Sequence, residues 1–426
     1  MKILYFFEPW IWKNAPNVGF GNCVDQFGSK QIKALQEYEK CNFEIHCIYG
    51  DSANNASVRN KRSLPESVKT HIITQAELKL IFPNYLDATL KWNSHNYSDD
   101  EMQNMVELIQ KKLNEYTPDI IITFLTPAPY LKKAFPKALH FYTEYGIFSR
   151  PPYPESYYFD PCGYFQNSFF CQFFDKIKET KINLIESSFL RLMRYSFKRK
   201  FRKYKKIKFP DNFYTFEKKI LLPLQFDNHF VFNGYSTYLD QFDFLCDVLN
   251  RIDPNIGVIV TEHNYWGKVI TDKNIQYLQE TYPNLIIDPQ TNFDKAPSQA
   301  FLLHVDGVVS LTSTVALQAM LWQKAIFGIS SPNSHISILS ETTKIEEIGD
   351  ILHSKQLLYN KDNVLYYLLT HYYQLSSYCF NKNFFPDFLI KSYKKYQDSE
   401  LNFKFFEKID IDIKIFKEII KNIKNI

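Results

Sequence analysis

The chain has 426 residues, 45% of them hydrophobic and 23% charged, with a net charge of +4. That length suits two domains of ordinary size, and the balance excludes a disordered chain. Seven cysteines with no Cys-x-x-Cys spacing argue against a disulfide framework or a zinc site, and point to a reducing cytoplasm.

In chain order, "MKILYFF" reads as a first β-strand, not a signal peptide, because Glu8 and Pro9 interrupt the apolar run. "DQFGSKQIKALQEYEK" follows as a helix and "FEIHCIYG" as a second strand. "DEMQNMVELIQKKLNEY" has helical spacing, "PDIIITFL" is a buried strand, and "KALHFYTEYG" is a strand ending on Glu144. Residues 151–217 break the alternation, being rich in Pro and aromatics. A domain boundary is therefore expected near residue 217, giving domains 1–217 and 218–426.

Within that interval, "RLMRYSFKRKFRKYKKIK" (191–208) carries ten basic residues and no acidic one. A solvated linker helix and an anion-binding face explain it equally well. Of the two anionic partners, lipid headgroups fit better than nucleic acid, since no nucleic-acid motif accompanies the run. The tail "FKFFEKIDIDIKIFKEIIKNIKNI" is a second basic amphipathic segment, suited to packing on the body or lying on a membrane. No window reaches the ~20 apolar residues of a spanning helix, so any membrane contact is peripheral.

The second half alternates cleanly. "KKILLPLQF", "NIGVIVTEH", "NLIID", "GVVSL" and "AIFGI" read as strands. "TYLDQFDFLCDVLNRI", "KNIQYLQETY", "APSQAFLLHV" and "STVALQAMLWQ" read as the helices between them. This pattern implies βαβ crossovers and a parallel sheet covered on both faces, that is, a Rossmann-like domain preceded by a looser α/β domain.

Ligands of open parallel sheets bind beyond the carboxyl ends of the strands. Three polar clusters fall there: Gln225, Asp227, Asn228 and His229; Glu262, His263 and Asn264; and Ser310, Thr312, Ser313 and Thr314. Any one of them is explained by a turn or a helix cap; their coincidence on one sheet edge favours a site. The hydroxyls of the third cluster open a helix, whose free N–H groups suit a phosphate. Arg150, beside a turn with Glu144, suits forked recognition of a carboxylate or phosphate, or a structural ion pair. "GFGNCV" (19–24) lacks the third glycine of a dinucleotide fingerprint, and "DID" (410–412) follows the alternation of the tail, so no metal is assigned.

"TEYGIFSRPPYPESYYFDP", "LLPLQFDNH", "VTEHNYWG" and "SLTSTVALQAMLWQKAIFG", in this order and spacing, resemble the bacterial retaining β-Kdo glycosyltransferases of capsule and lipopolysaccharide O-antigen synthesis. The resemblance spans residues 140–330. It implies an α/β GT-B fold: two Rossmann-like domains facing a cleft, with C-terminal helices crossing back to the first. It also implies CMP-β-Kdo as donor, a glycan acceptor that can be lipid-linked, no cofactor and no metal. Asp227 would be the nucleophile of a double displacement. Glu144 would be the acid/base, and His263 would contact the donor phosphate or assist departure of CMP. The hydroxyls of Ser310, Thr312, Ser313 and Thr314 would hold the phosphate or cytidine, with Gln225 and Asn228 beside the donor and Arg150 at the Kdo carboxylate. One departure stands out: many such helices carry Glu where this chain has Gln318, a position used to hold ribose. The implied location is the cytoplasm, at the inner membrane face. Rival readings are a GT-B transferase for CMP-sialic acid or a UDP-sugar, and a non-catalytic glycan-binding or assembly protein.

Overall fold

A computed structural model describes residues 1–9, 24–25, 27–51, 53–55, 64–84, 88–148, 153–201, 210–225, 230–262, 268–271, 273–287, 297–329, 335–409, 419 and 421. The chain divides into two compact units. The first is Met1–Gly146 with Glu155–Phe169 and His371–Lys408; the second is Ile147–Pro154 with Phe170–Thr370 and Ile409–Ile426.

Twelve strands are described: β1 (Lys2–Phe7), β2 (Glu44–Gly50), β3 (Lys69–Ile73), β4 (Ile120–Phe124), β5 (Leu139–Tyr145), β6 (Ser156–Asp160), β7 (Lys218–Pro223), β8 (Ile256–Thr261), β9 (Leu285–Ile286), β10 (Gly307–Ser310), β11 (Ala325–Gly328) and β12 (Tyr373–Leu375). The first unit holds a seven-stranded sheet in the order β12-β6-β5-β4-β1-β2-β3. Its five strands from β5 to β3 run parallel; β6 and β12 are added antiparallel at one edge. The second unit holds the all-parallel order β11-β10-β7-β8-β9. Each is a doubly wound, Rossmann-like α/β arrangement: the chain starts in mid-sheet, builds one side, then returns to build the other.

Burial explains why these residues make central strands. Every residue of β4, β8 and β10 is buried, as parallel strands covered on both faces require. The helices show the complementary periodicity. Asp99–Leu113 buries Met102, Met105, Val106, Ile109 and Leu113, one stripe at spacings of three and four, and a Ser98–Glu101 capping box closes its start.

The described part of 151–217 is ordered rather than irregular. Its helix Leu184–Lys200 begins in an Asn183–Glu186 capping box and buries Phe189, Leu190, Met193 and Phe197. Arg194 donates to the carbonyl of Leu321 and pairs with Asp362, and Lys198 lies over the Trp322 ring. These ties place the helix in the second unit, and so residue 217, the boundary expected from composition, falls inside that unit. The C-terminal return to the first unit is present: β12 pairs with β6, and the helix Phe385–Gln397 packs there through Phe388 on Phe141 and Phe159. Among the described residues, no helix is long and apolar enough to cross a membrane. The "DID" segment and most of the tail, together with Gly19–Cys23, lie outside the described residues.

Candidate functional site

In the second unit, the topological switch lies between β7 and β10, the strands from which the chain turns to opposite sides. The register pairs Val308 with Leu221, so four residues further along Thr312 stands level with Gln225. The two side chains meet there: the Thr312 hydroxyl donates to Gln225 Oε1 at 2.5 Å. Gln225 is itself anchored, its backbone N–H donating to Gln241 Oε1 at 3.1 Å. The sequence reading placed both residues at a donor site, and the fold joins them at the crevice where doubly wound sheets bind ligands.

The neighbouring hydroxyls divide by role. Ser310 is buried, and its oxygen accepts from the Ser313 N–H at 2.9 Å, fixing the turn after β10. Ser313 lies near the Val315 N–H at 3.4 Å, and Thr314 is exposed with no side-chain cap bond. The helix they open is short, Val315–Ala319 followed by a 3-10 turn Met320–Trp322, so its dipole is weaker than the expected long helix would carry. Gln318 is buried on that helix. Its Nε2 donates to the Ile147 carbonyl at 2.8 Å, while its Oε1 has no partner among the described residues.

At the end of β8, the Thr261 and Ser298 hydroxyls bond at 2.8 Å. The Glu262 carboxylate accepts the N–H groups of both Val269 and Ile270, at 2.6 and 2.8 Å. Burial raises the Glu262 pKa, and those two N–H groups oppose the rise. Glu262 thus fixes the backbone seven and eight residues further along the chain. Asp227, Asn228, His263 and Arg150 lie outside the described residues.

In the first unit, Glu144 sits near the end of β5, opposite Tyr158 in the antiparallel ladder. The Tyr158 hydroxyl donates to Glu144 Oε2 at 3.3 Å. Burial lifts the Glu144 pKa to about 7, with the Tyr158 hydroxyl pulling the other way. The group therefore exchanges a proton near neutrality, as an acid/base must. Its setting is rigid. Tyr158 stacks on Tyr372 at 5.3 Å between ring centroids, and the Tyr372 hydroxyl donates to the fully buried Asp160 at 2.7 Å. Asp160 also accepts from the N–H groups of Cys162, Gly163 and Phe169. Gly146 closes the β5–β6 hairpin, its N–H donating to the Ser156 carbonyl at 2.7 Å.

One strand-end group escaped the sequence reading. Glu8 directly follows β1, and at the switch between β1 and β4 its Oε2 accepts from the Thr126 and Tyr130 hydroxyls, at 2.5 and 3.1 Å. The strand-end rule that marks the polar clusters of the second half applies equally to Glu8, which in the sequence stands out as the residue that ends an apolar run.

No family model and no curated protein matches the chain. Among solved structures it is similar to the KpsC β-Kdo 2,7 transferase of Thermosulfurimonas dismutans, at 15% identity and a TM-score of 0.41, covering 69% of this chain and 90% of that one. It is also similar to UDP-GlcNAc 2-epimerase from Neisseria meningitidis, at 14% identity and a TM-score of 0.33, covering 86% and 96%. A third is HepE of Anabaena in complex with UDP-glucose, at 11% identity and a TM-score of 0.34, covering 94% and 100%. Likeness at this level carries no weight for function.

Proposed function

We propose that the chain is a GT-B glycosyltransferase that moves Kdo from CMP-β-Kdo to a glycan acceptor with retention of configuration. The observation that carries the reading is the Thr312–Gln225 bond at the switch of the second sheet, two residues before Asp227. The motifs shared with the retaining β-Kdo transferases support the choice of donor.

In this reading the Asp227 carboxylate attacks the anomeric carbon of Kdo. The bond to the CMP oxygen breaks, and CMP leaves with the electron pair. An acceptor hydroxyl then attacks the same carbon, its proton passes to the Glu144 carboxylate, and Asp227 is released. Two inversions give net retention. Glu144, held near pH 7 by burial, is ionised often enough to take that proton. Ser313 and Thr314 offer donors to the single phosphate of CMP.

The test is the intact mass of the protein after incubation with freshly generated CMP-Kdo and no acceptor. The expected result is a gain of one Kdo residue that is absent in Asp227→Ala. CMP release without an adduct would overturn the covalent mechanism, and neither release nor adduct would overturn the donor.

A further inference from the structure

The two units share a device at their switch points. In the second, a threonine two residues past β10 donates to a side chain past β7; in the first, a threonine two residues past β4 donates to a side chain past β1. The first version is the more elaborate. Thr126 is fully buried, donates to Glu8, and accepts the Ala128 N–H at 3.3 Å. The backbone around it enters the left-handed region twice without glycine, at Leu125 (φ 58°) and Ala128 (φ 31°). Each such residue costs about 1–2 kcal/mol, and strain of this kind is retained where the surroundings hold a side chain in place for use.

Tyr130, fully buried on the following helical turn, adds a second hydroxyl to the same carboxyl oxygen. Glu8 Oε2 is thus saturated from the protein side. Oε1 has no partner among the described residues, and the side chain is only half-buried. A carboxyl fixed by one oxygen and presented by the other, at the mouth of a doubly wound sheet, is built to hold a ligand.

We infer that Glu8, oriented by Thr126 and Tyr130, is a carbohydrate-binding residue that holds a hydroxyl of the acceptor sugar. The inference rests on the transferase reading for the word acceptor and on the first unit's geometry for the site itself. Sugar hydroxyls both donate and accept. Burial raises the Glu8 pKa to about 7, so the free oxygen accepts when ionised and donates when protonated.

Saturation-transfer NMR titrations of the full chain would use three probes: the methyl glycosides of galactose, N-acetylglucosamine and rhamnose. CMP is titrated in parallel. At least one glycoside is expected to bind, about tenfold more weakly in Glu8→Ala and about threefold more weakly in Thr126→Val, with CMP affinity unchanged in both. Should Glu8→Ala fail to fold by circular dichroism, Thr126→Val decides. Absence of binding by all three probes, or equal binding by the folded variants, overturns the inference. Failure of the transferase reading is separate: it shows as no CMP binding and no Kdo adduct in the wild type, whatever the glycosides do.

Discussion

Placing a methyl group on Gly146 tests how tightly the β5–β6 hairpin holds Glu144. An added Cβ would lie 2.1 Å from Ser156 Oγ, 3.2 Å from Ser156 Cβ and 3.3 Å from the Ser156 carbonyl. The first contact is impossible, so Ser156 must rotate or the hairpin must open. Overpacking of this kind costs about 1–3 kcal/mol. Ser156 is buried and its hydroxyl has no partner among the described residues, so Ser156→Ala alone is expected to be neutral within about 0.5 kcal/mol. In the double variant the 2.1 Å contact disappears while the 3.2 and 3.3 Å contacts remain. About half of the loss should therefore return, a coupling of about 1 kcal/mol in a double-mutant cycle. Urea denaturation of the wild type and the three variants measures it. Activity should fall in Gly146→Ala and recover partly with Ser156→Ala, because the displaced backbone is two residues from Glu144. A stable Gly146→Ala protein, or one that Ser156→Ala fails to rescue, would refute the reasoning.

Other expectations concern single side chains. With Glu144 as the proton acceptor, kcat for transfer rises as pH passes through about 7, and Glu144→Gln removes that limb from the pH profile. The sign for stability is opposite. The raised pKa favours the neutral form, whose contribution is complete below 4.5 and lost as pH climbs through about 7. Glu144→Gln should accordingly be more stable than the wild type at pH 8 in thermal melts. Lys361 and Glu341 form a fully buried pair, with the ammonium 3.6 Å from the Tyr359 ring centre. Lys361→Met leaves an unpaired buried carboxylate and should cost about 3–5 kcal/mol in urea denaturation; a loss under about 1 kcal/mol would contradict it. Thr312→Val removes the hydroxyl that orients Gln225 and should lower kcat/KM for the donor about tenfold in CMP-release assays, with about 1 kcal/mol lost in stability. An unchanged kcat/KM would separate Gln225 from the donor site.

How legible all this is in the sequence depends on what sets each feature. The strands of the second half are readable because they are buried on both faces and so appear as apolar runs ended by polar residues; "GVVS" and "IGVIVT" are such cases. β3, "KTHII", escapes because it is an edge strand with two exposed residues. β12 escapes for another reason: "YQL" pairs with β6, more than two hundred residues earlier, and β6, "SYYFD", lies in the Pro- and aromatic-rich interval that breaks the alternation. The site follows the same division. Gln225, Ser310 and Thr312 are candidates by the rule that strand ends carry function, and the fold brings Gln225 and Thr312 into contact. That Gln318 donates its amide to the Ile147 carbonyl, and that Glu262 accepts the N–H groups of Val269 and Ile270, depends on tertiary neighbours and has no local signal.

The return of β12 to the first sheet has a consequence for biosynthesis. On a ribosome, β6 emerges with one side of its backbone unpaired, and its partner is 213 residues downstream when counted from Asp160 to Tyr373. At about 5–20 residues per second, that edge waits roughly 10–40 s, while nearly all of the second unit is made. The earlier half of the molecule is thus the later to be finished. During that interval the bare edge can capture an edge from another nascent chain. A protein that stops near residue 370 would keep the β6 edge open for its whole life, so its expected failing is aggregation rather than simple loss of activity.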